Sequence, residues 1–159
     1  MSENDFDFLH GRWRVANRKI DDIPGRGTGW VEFGADAEAR PVLGGGANID
    51  TIRTADWEGL TLRQYDPADD VWRIWWASSR APGKLDPPLE GRFTGGHGVF
   101  FGDDVVGGHE VRLRFDWTAG EAPVWQQAFS YDGGETWEIN WIMRFTRAQT
   151  AMDGVREVS

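Results

Sequence analysis

The sequence predicts an all-β fold, an antiparallel up-and-down β-barrel of about eight to ten strands opened by a short N-terminal helical turn. Three observations carry this. Residues 124–147 read as two long strands around a tight turn, because small, polar, αL-tolerant residues separate two runs rich in aromatic and β-branched side chains. Most of the remaining chain repeats that pattern, with short alternating runs joined by turns. Finally, 21 Gly and ten Trp accompany few apolar repeats of helical length, a composition suited to strands and turns. Closure into a barrel removes the unpaired edges an open meander would leave. A β-sandwich is the alternative left open.

Taken in order, Asp5 supplies an N-cap candidate ahead of Phe6, Phe8 and Leu9, which predicts a single helical turn. Residues 11–16 alternate, with Trp13 and Val15 on one face. A loop holding Pro24, Gly25 and Gly27 leads to a strand over 28–33, and 35–40 is expected to form a brief helical turn before Pro41. Gly44, Gly45 and Gly46 predict a bend or bulge rather than a phosphate loop, since no Lys-Ser/Thr follows them and no helix pattern starts there. Strands over 60–65 and 71–77 flank an Asp-Pro turn as a second hairpin, with Leu60 and Leu62 on one face and Trp72, Ile74 and Trp76 sharing a face of the partner. Residues 78–88, with three prolines, form the longest expected loop and the best candidate for a rim or lid. Short strands at 91–94 and 98–101 precede a clean alternation over 110–117, and the tail from 148 to 159 is expected to fray.

In the 124–147 ribbon, a four-residue loop over 132–135 would set Gln127 opposite Asn140, Phe129 opposite Glu138 and Trp125 opposite Ile142. The bulkier apolar face, expected to line the barrel, would then carry Val124, Gln126, Ala128 and Ser130 against Trp137, Ile139, Trp141, Met143 and Phe145. The turn matches Ser-x-Asp-x-Gly-x-Thr-Trp through Ser130, Asp132, Gly134, Thr136 and Trp137, and so resembles the Asp-box of sialidase-type β-propellers. A propeller needs that motif at a fixed period over several blades, and here it occurs once. Its expected role is structural, with Ser130 and Asp132 bonding the turn backbone above Trp137.

Composition bounds the function. At 159 residues, the chain is read as a single domain over 1–159, with its core at about 5–147, long enough to bury a core without metal or disulfide. The absence of cysteine rules out disulfides, thiolate metal sites and cysteine nucleophiles. No signal-like n-region or h-region opens the sequence and no run has the length of a membrane span, so the expected location is cytoplasmic, with no membrane partner. A net charge of -9 argues against a nucleic-acid partner, since such proteins gather Lys and Arg to displace counterions. The tryptophan excess suits either an aromatic-lined cavity or a subunit contact, a homodimer being the expected form of the latter.

Gly11-x-Trp13, on the first strand behind a helical turn, is similar to the opening Gly-x-Trp of lipocalins, and the meander over 5–147 resembles the wider calycin superfamily, in particular bacterial calycin-like domains of unknown function. The resemblance implies a barrel with a cup for a small, largely apolar molecule. It also implies a basic side chain from the end of the last strand lying against Trp13, for which Arg144 or Arg147 is the match. The glycine-rich continuation of haem-binding nitrobindin relatives is missing after Trp13, and no cofactor is implied.

The candidate ligand-binding residues are Arg63, Trp76, His97, Arg114, Gln127, Glu138, Asn140 and Trp141. Polar side chains inside β-like runs either form the solvated face of an antiparallel sheet or point into the barrel, where a few among tryptophans would orient a ligand. Glu138 beside Asn140 is the sharpest pair, since a carboxylate in a dry aromatic pocket can serve as general acid or base. His97 lies among glycines that would let a ligand approach, yet His10, His97 and His109 lack the spacing of a metal pair, and no metal is expected. No Gly-x-Ser-x-Gly elbow supports a hydrolase triad. The leading expectation is therefore binding of a small hydrophobic or aromatic molecule. An isomerase, cyclase or hydrolase using Glu138 or a pocket arginine is the second, and an interaction module with a filled barrel the third.

Overall fold

The structure, a computed structural model, describes residues 2–23 and 26–148. Pro24 and Gly25 of the first expected loop, and all of the expected tail except Ala148, lie outside the described residues. Ten antiparallel strands run β1 Gly11–Ile20, β2 Trp30–Val42, β3 Ala47–Arg53, β4 Glu58–Asp66, β5 Val71–Ser78, β6 Leu89–Thr94, β7 His97–Val106, β8 His109–Thr118, β9 Val124–Ser130 and β10 Glu138–Arg147. Each pairs with the next, and β1 pairs with β10 as well as β2, so the barrel is closed. This is the expected architecture, with no free edge among the described strands.

The stretch 35–40 departs from expectation. It is strand, not a helical turn, because Ala35, Ala37 and Ala39 lie opposite Val15, Trp13 and Gly11 of β1. The high helix propensity of alanine gives way to pairing on both sides, with β1 and with β3. A residue without bulk is what the row facing Trp13 requires. The short 3₁₀ helix that follows, Leu43–Gly45, provides the expected bend.

One end of the barrel is plugged by the N-terminal segment, in which Asp7–Leu9 forms a 3₁₀ turn. Phe6, 1% exposed, enters the lumen and meets Trp72 and Phe93 edge-on, each at 4.9 Å between ring centroids. Trp72 donates its indole N–H to Asp5 (3.2 Å), and Trp13 donates to the carbonyl of Leu9 (2.7 Å), so both ends of the turn are tied to the wall. Arg147 lies over the Trp13 ring at 3.7 Å and donates to the carbonyls of His10 (2.6 Å) and Phe8 (3.4 Å). Of the two arginines considered for this place it is therefore Arg147 that serves, while Arg144 is exposed. Gly11 has φ +112°, and a Cβ there would stand 2.5 Å from the Arg147 guanidinium. Glycine two residues before Trp13 thus meets a backbone and a steric demand at once.

On β9 and β10 the register breaks at Asn140. Glu138 faces Phe129 and Ile139 faces Ala128, but the next pair is Trp141 with Gln127, then Met143 with Trp125. Asn140 is the extra residue of a β-bulge. The expected pairing of Phe129 with Glu138 holds, and those of Gln127 with Asn140 and Trp125 with Ile142 do not. The lumen accordingly takes Trp125, Gln127 and Phe129 from β9, not Val124, Gln126, Ala128 and Ser130, together with Trp141, Met143 and Phe145 from β10.

Candidate functional site

Above the plug the lumen opens into a cavity of about 290 Å³, near the lower end of the roughly 300–1,000 Å³ range of small-molecule sites. Its middle is lined by Ile52, Ile74, Leu89, Phe115, Met143 and Phe145, and its upper wall by Trp76, Trp125 and Trp141. Trp57, on the turn between β3 and β4, packs edge-on against Trp76 (6.1 Å) and Trp141 (5.9 Å), extending the aromatic wall to the lip. The mouth lies at the end carrying the 79–88 loop, which contributes Arg80, Asp86 and Pro87 to the lining. The loop expected to form the rim does so, held where Asp86 N–H bonds the Trp76 carbonyl at 2.9 Å.

The floor is polar. Arg63, 3% exposed, projects from β4 with its guanidinium 5.1 Å from the Phe6 ring and 5.4 Å from Trp117. It donates to the Asn48 side-chain carbonyl at 2.8 Å and forms an ion pair with Asp50. The pattern 48, 50, 52 on β3 turns Asn48, Asp50 and Ile52 toward the lumen, where β4 presents Arg63, Thr61 and Gly59 in register. The Nε–H of Arg63 has no hydrogen-bond partner, nor has the side-chain amide nitrogen of Asn17, whose oxygen accepts from the Trp141 indole at 2.9 Å. Of these two buried donors, that of Arg63 belongs to a residue lining the cavity.

Higher up, Gln127 donates to Asn140 at 2.9 Å across the bulge. Lys19 and Arg80 reach the mouth, Lys19 with its ammonium 5.3 Å from the Trp141 ring and Arg80 with its guanidinium 4.1 Å from Trp57. Burial, and then the charge of Arg80, push the Lys19 ammonium below its ordinary range, and burial does the same to Arg80. Asp86 moves the other way: burial and then Asp104 raise its carboxyl, and Lys84 partly offsets this.

Of the residues singled out from sequence, Arg63, Trp76, Gln127 and Trp141 line the cavity and Asn140 touches it through Gln127. Three others are elsewhere. Glu138 is exposed at the start of β10, outside the cavity lining, and ion-paired with Arg26. Arg114 lies on the outer face of β8, since Leu113, Phe115 and Trp117 take the inner row, and it bonds Asp116 at 2.7 Å. His97 is exposed near the plugged end, 2.9 Å from Asp116. Sequence reasoning passed over Lys19, Asp50, Thr61, Arg80 and Asp86. For Asp50 and Thr61 the register with Arg63 was the available signal; Arg80 and Asp86 sit in the loop and carry no periodicity. Among the described residues no group of three or more His, Cys, Asp or Glu side chains could hold a metal ion, and no helix is long and apolar enough to cross a membrane.

The turn after β9 has the structural character expected. Ser130, 1% exposed, accepts from Gly134 N–H (2.8 Å), and Asp132 accepts from the backbone N–H of Glu135 and Thr136 and from the Thr136 hydroxyl (2.5 Å). These bonds, the Thr136 hydroxyl first, hold the Asp132 carboxyl well below the usual carboxylate range. Trp137 packs on Phe101 outside the barrel at 5.7 Å. No family model and no curated protein matches the chain.

Proposed function

We propose that this protein binds a small hydrophobic or aromatic molecule in its lumen, in the manner of a calycin-like carrier barrel. The observation that carries the reading is the cavity of about 290 Å³, walled by Trp76, Trp125 and Trp141 and floored by an arginine with an unused buried donor. An apolar wall with a few converging polar groups supplies affinity through burial and orientation through hydrogen bonds. A lumen packed solid, as an interaction module would have, accords poorly with that volume. The enzymatic reading through Glu138 loses its group to the outer surface.

Binding places a ligand against three tryptophans, so intrinsic fluorescence reports it. A titration with a panel of aromatic and aliphatic molecules should give a saturable change for at least one, and Trp76→Ala should weaken that ligand by roughly tenfold or more through lost contact area. A flat response across the panel, with no small molecule recovered from protein purified from its native host, would refute the reading.

A further inference from the structure

We infer that the lumenal ligand is an amphipathic anion, an aromatic or aliphatic carboxylate whose head is received at the mouth by Lys19 and Arg80 while its body lies against the tryptophan wall. This rests on the binding reading above. The geometry is that of two cations brought together over touching rings: Lys19 over Trp141, Arg80 over Trp57, and the two indoles 5.9 Å apart. Among the described residues neither cation has a carboxylate within ion-pair distance.

Scarcity of acids does not explain this, for the chain has 26 acidic and 17 basic residues. Most outward arginines are matched, as in Arg12 with Glu38, Arg14 with Asp36 and Arg73 with three acids. The acids of the rim, Asp86, Asp103 and Asp104, belong to the 79–88 loop and β7. None of the three forms an ion pair with Lys19 or Arg80, although Asp86 shares a loop with Arg80. Partly desolvated like charges side by side oppose one another until an anion sits between them, and a carboxylate there would be held by charge-assisted hydrogen bonds. Burial and then Arg80 lower the ammonium of Lys19 in the free protein, and a bound anion acts in the opposite direction.

Two fluorescent probes share one aromatic skeleton and differ by a single charge: 1-anilinonaphthalene-8-sulfonate and neutral N-phenyl-1-naphthylamine. The full-length protein should bind the sulfonate about tenfold or more tighter than the amine, as expected for a hydrogen-bonded charge pair. Lys19→Gln with Arg80→Gln, both at the lip, should abolish that preference, so that the double variant binds the two probes with affinities within about twofold of each other. Raising ionic strength from about 0.01 to 1 M, which shortens the Debye length from roughly 30 to 3 Å, should weaken the sulfonate alone. A neutral probe bound as well as the sulfonate, or a preference that survives in the double variant, overturns this inference and leaves cavity binding standing. Failure of both probes to bind, together with a flat response across the wider panel and nothing recovered from the native host, overturns both.

Discussion

Replacing Arg63 by methionine tests whether the floor of the cavity is a built polar network. The substitution keeps the apolar stem and removes the guanidinium, leaving the Asp50 carboxylate, 13% exposed, and the carbonyl of the buried Asn48 side chain without their donor. Removing one partner of a buried pair costs about 3–5 kcal/mol, because the remaining charge stays desolvated. Asp50 lines the cavity, from which water can approach it, so the expected cost is about 3 kcal/mol, at the lower end of that range. For a chain of this length that corresponds to a fall of about 6–12 °C in the melting temperature. Urea denaturation followed by tryptophan fluorescence gives the free energy directly. The decisive variant is Arg63→Met with Asp50→Asn. It replaces the stranded charge by a neutral amide and should recover about 2 kcal/mol of the loss, a coupling far outside ordinary additivity. A cost under about 1 kcal/mol for Arg63→Met, or an Asp50→Asn effect that adds to it instead of offsetting it, would refute the network.

Three further outcomes follow from the same packing. Phe6→Ala empties the plug beneath Arg63 and should cost about 3–5 kcal/mol in urea denaturation, with acrylamide gaining access to Trp72 and Trp117; a loss below about 1.5 would mean the wall collapses onto the gap. Gly91 lies between Trp72 and Phe100 in register, and a Cβ there would collide with the Val99 carbonyl and Phe100, so Gly91→Ala should destabilise by about 1–3 kcal/mol or more, whereas Gly34→Ala, exposed and with only an ordinary contact to Arg14, should stay within about 0.5. Asp132→Asn removes charge from the turn after β9: the folded carboxyl is depressed relative to the unfolded one, so its stabilisation is complete above about pH 4 and fades as pH falls toward the folded value. Urea midpoints of wild type and variant should therefore differ at pH 7 and converge on acidification, and a gap that holds constant down to pH 3 would deny the carboxylate its role.

What the sequence disclosed and what it hid follow from where a residue's surroundings are set. The barrel, its strand count and the N-terminal helical turn depend on local alternation and turn chemistry, and these are written in runs such as Val111, Leu113, Phe115 and Trp117. The inner face was harder wherever both faces are apolar. On β3, β4 and β5, Ile49, Leu62 and Trp75 form one row in register, half-buried on the outside, while the polar set Asn48, Asp50, Thr61 and Arg63 turns inward. Alternation alone ranks these the wrong way round, because a hydrophobic row is assumed to be the core row. Only the cross-strand match of one cation with one carboxylate and one amide, at Arg63, Asp50 and Asn48, reveals that the inward row is self-satisfied.

The bulge at Asn140 shows a second limit, and also a signal that was present. A four-residue loop over 132–135 joined to an unbroken ladder sets Trp125 and Phe129 against Ile142 and Glu138, on the face opposite to Trp141, Met143 and Phe145. Two strong aromatic phases cannot both be inward under that register, so one extra residue must be absorbed between Glu138 and Trp141. Asn140 suits the place, since its amide can accept from Gln127 (2.9 Å) where no ladder partner exists. The bulge also decides the lining of the site: past it Trp141 falls in register with Gln127 and Met143 with Trp125, all four inward. A single inserted residue thus lets Trp125 and Gln127 share the lumen with Trp141 and Met143, which an unbroken ladder would forbid.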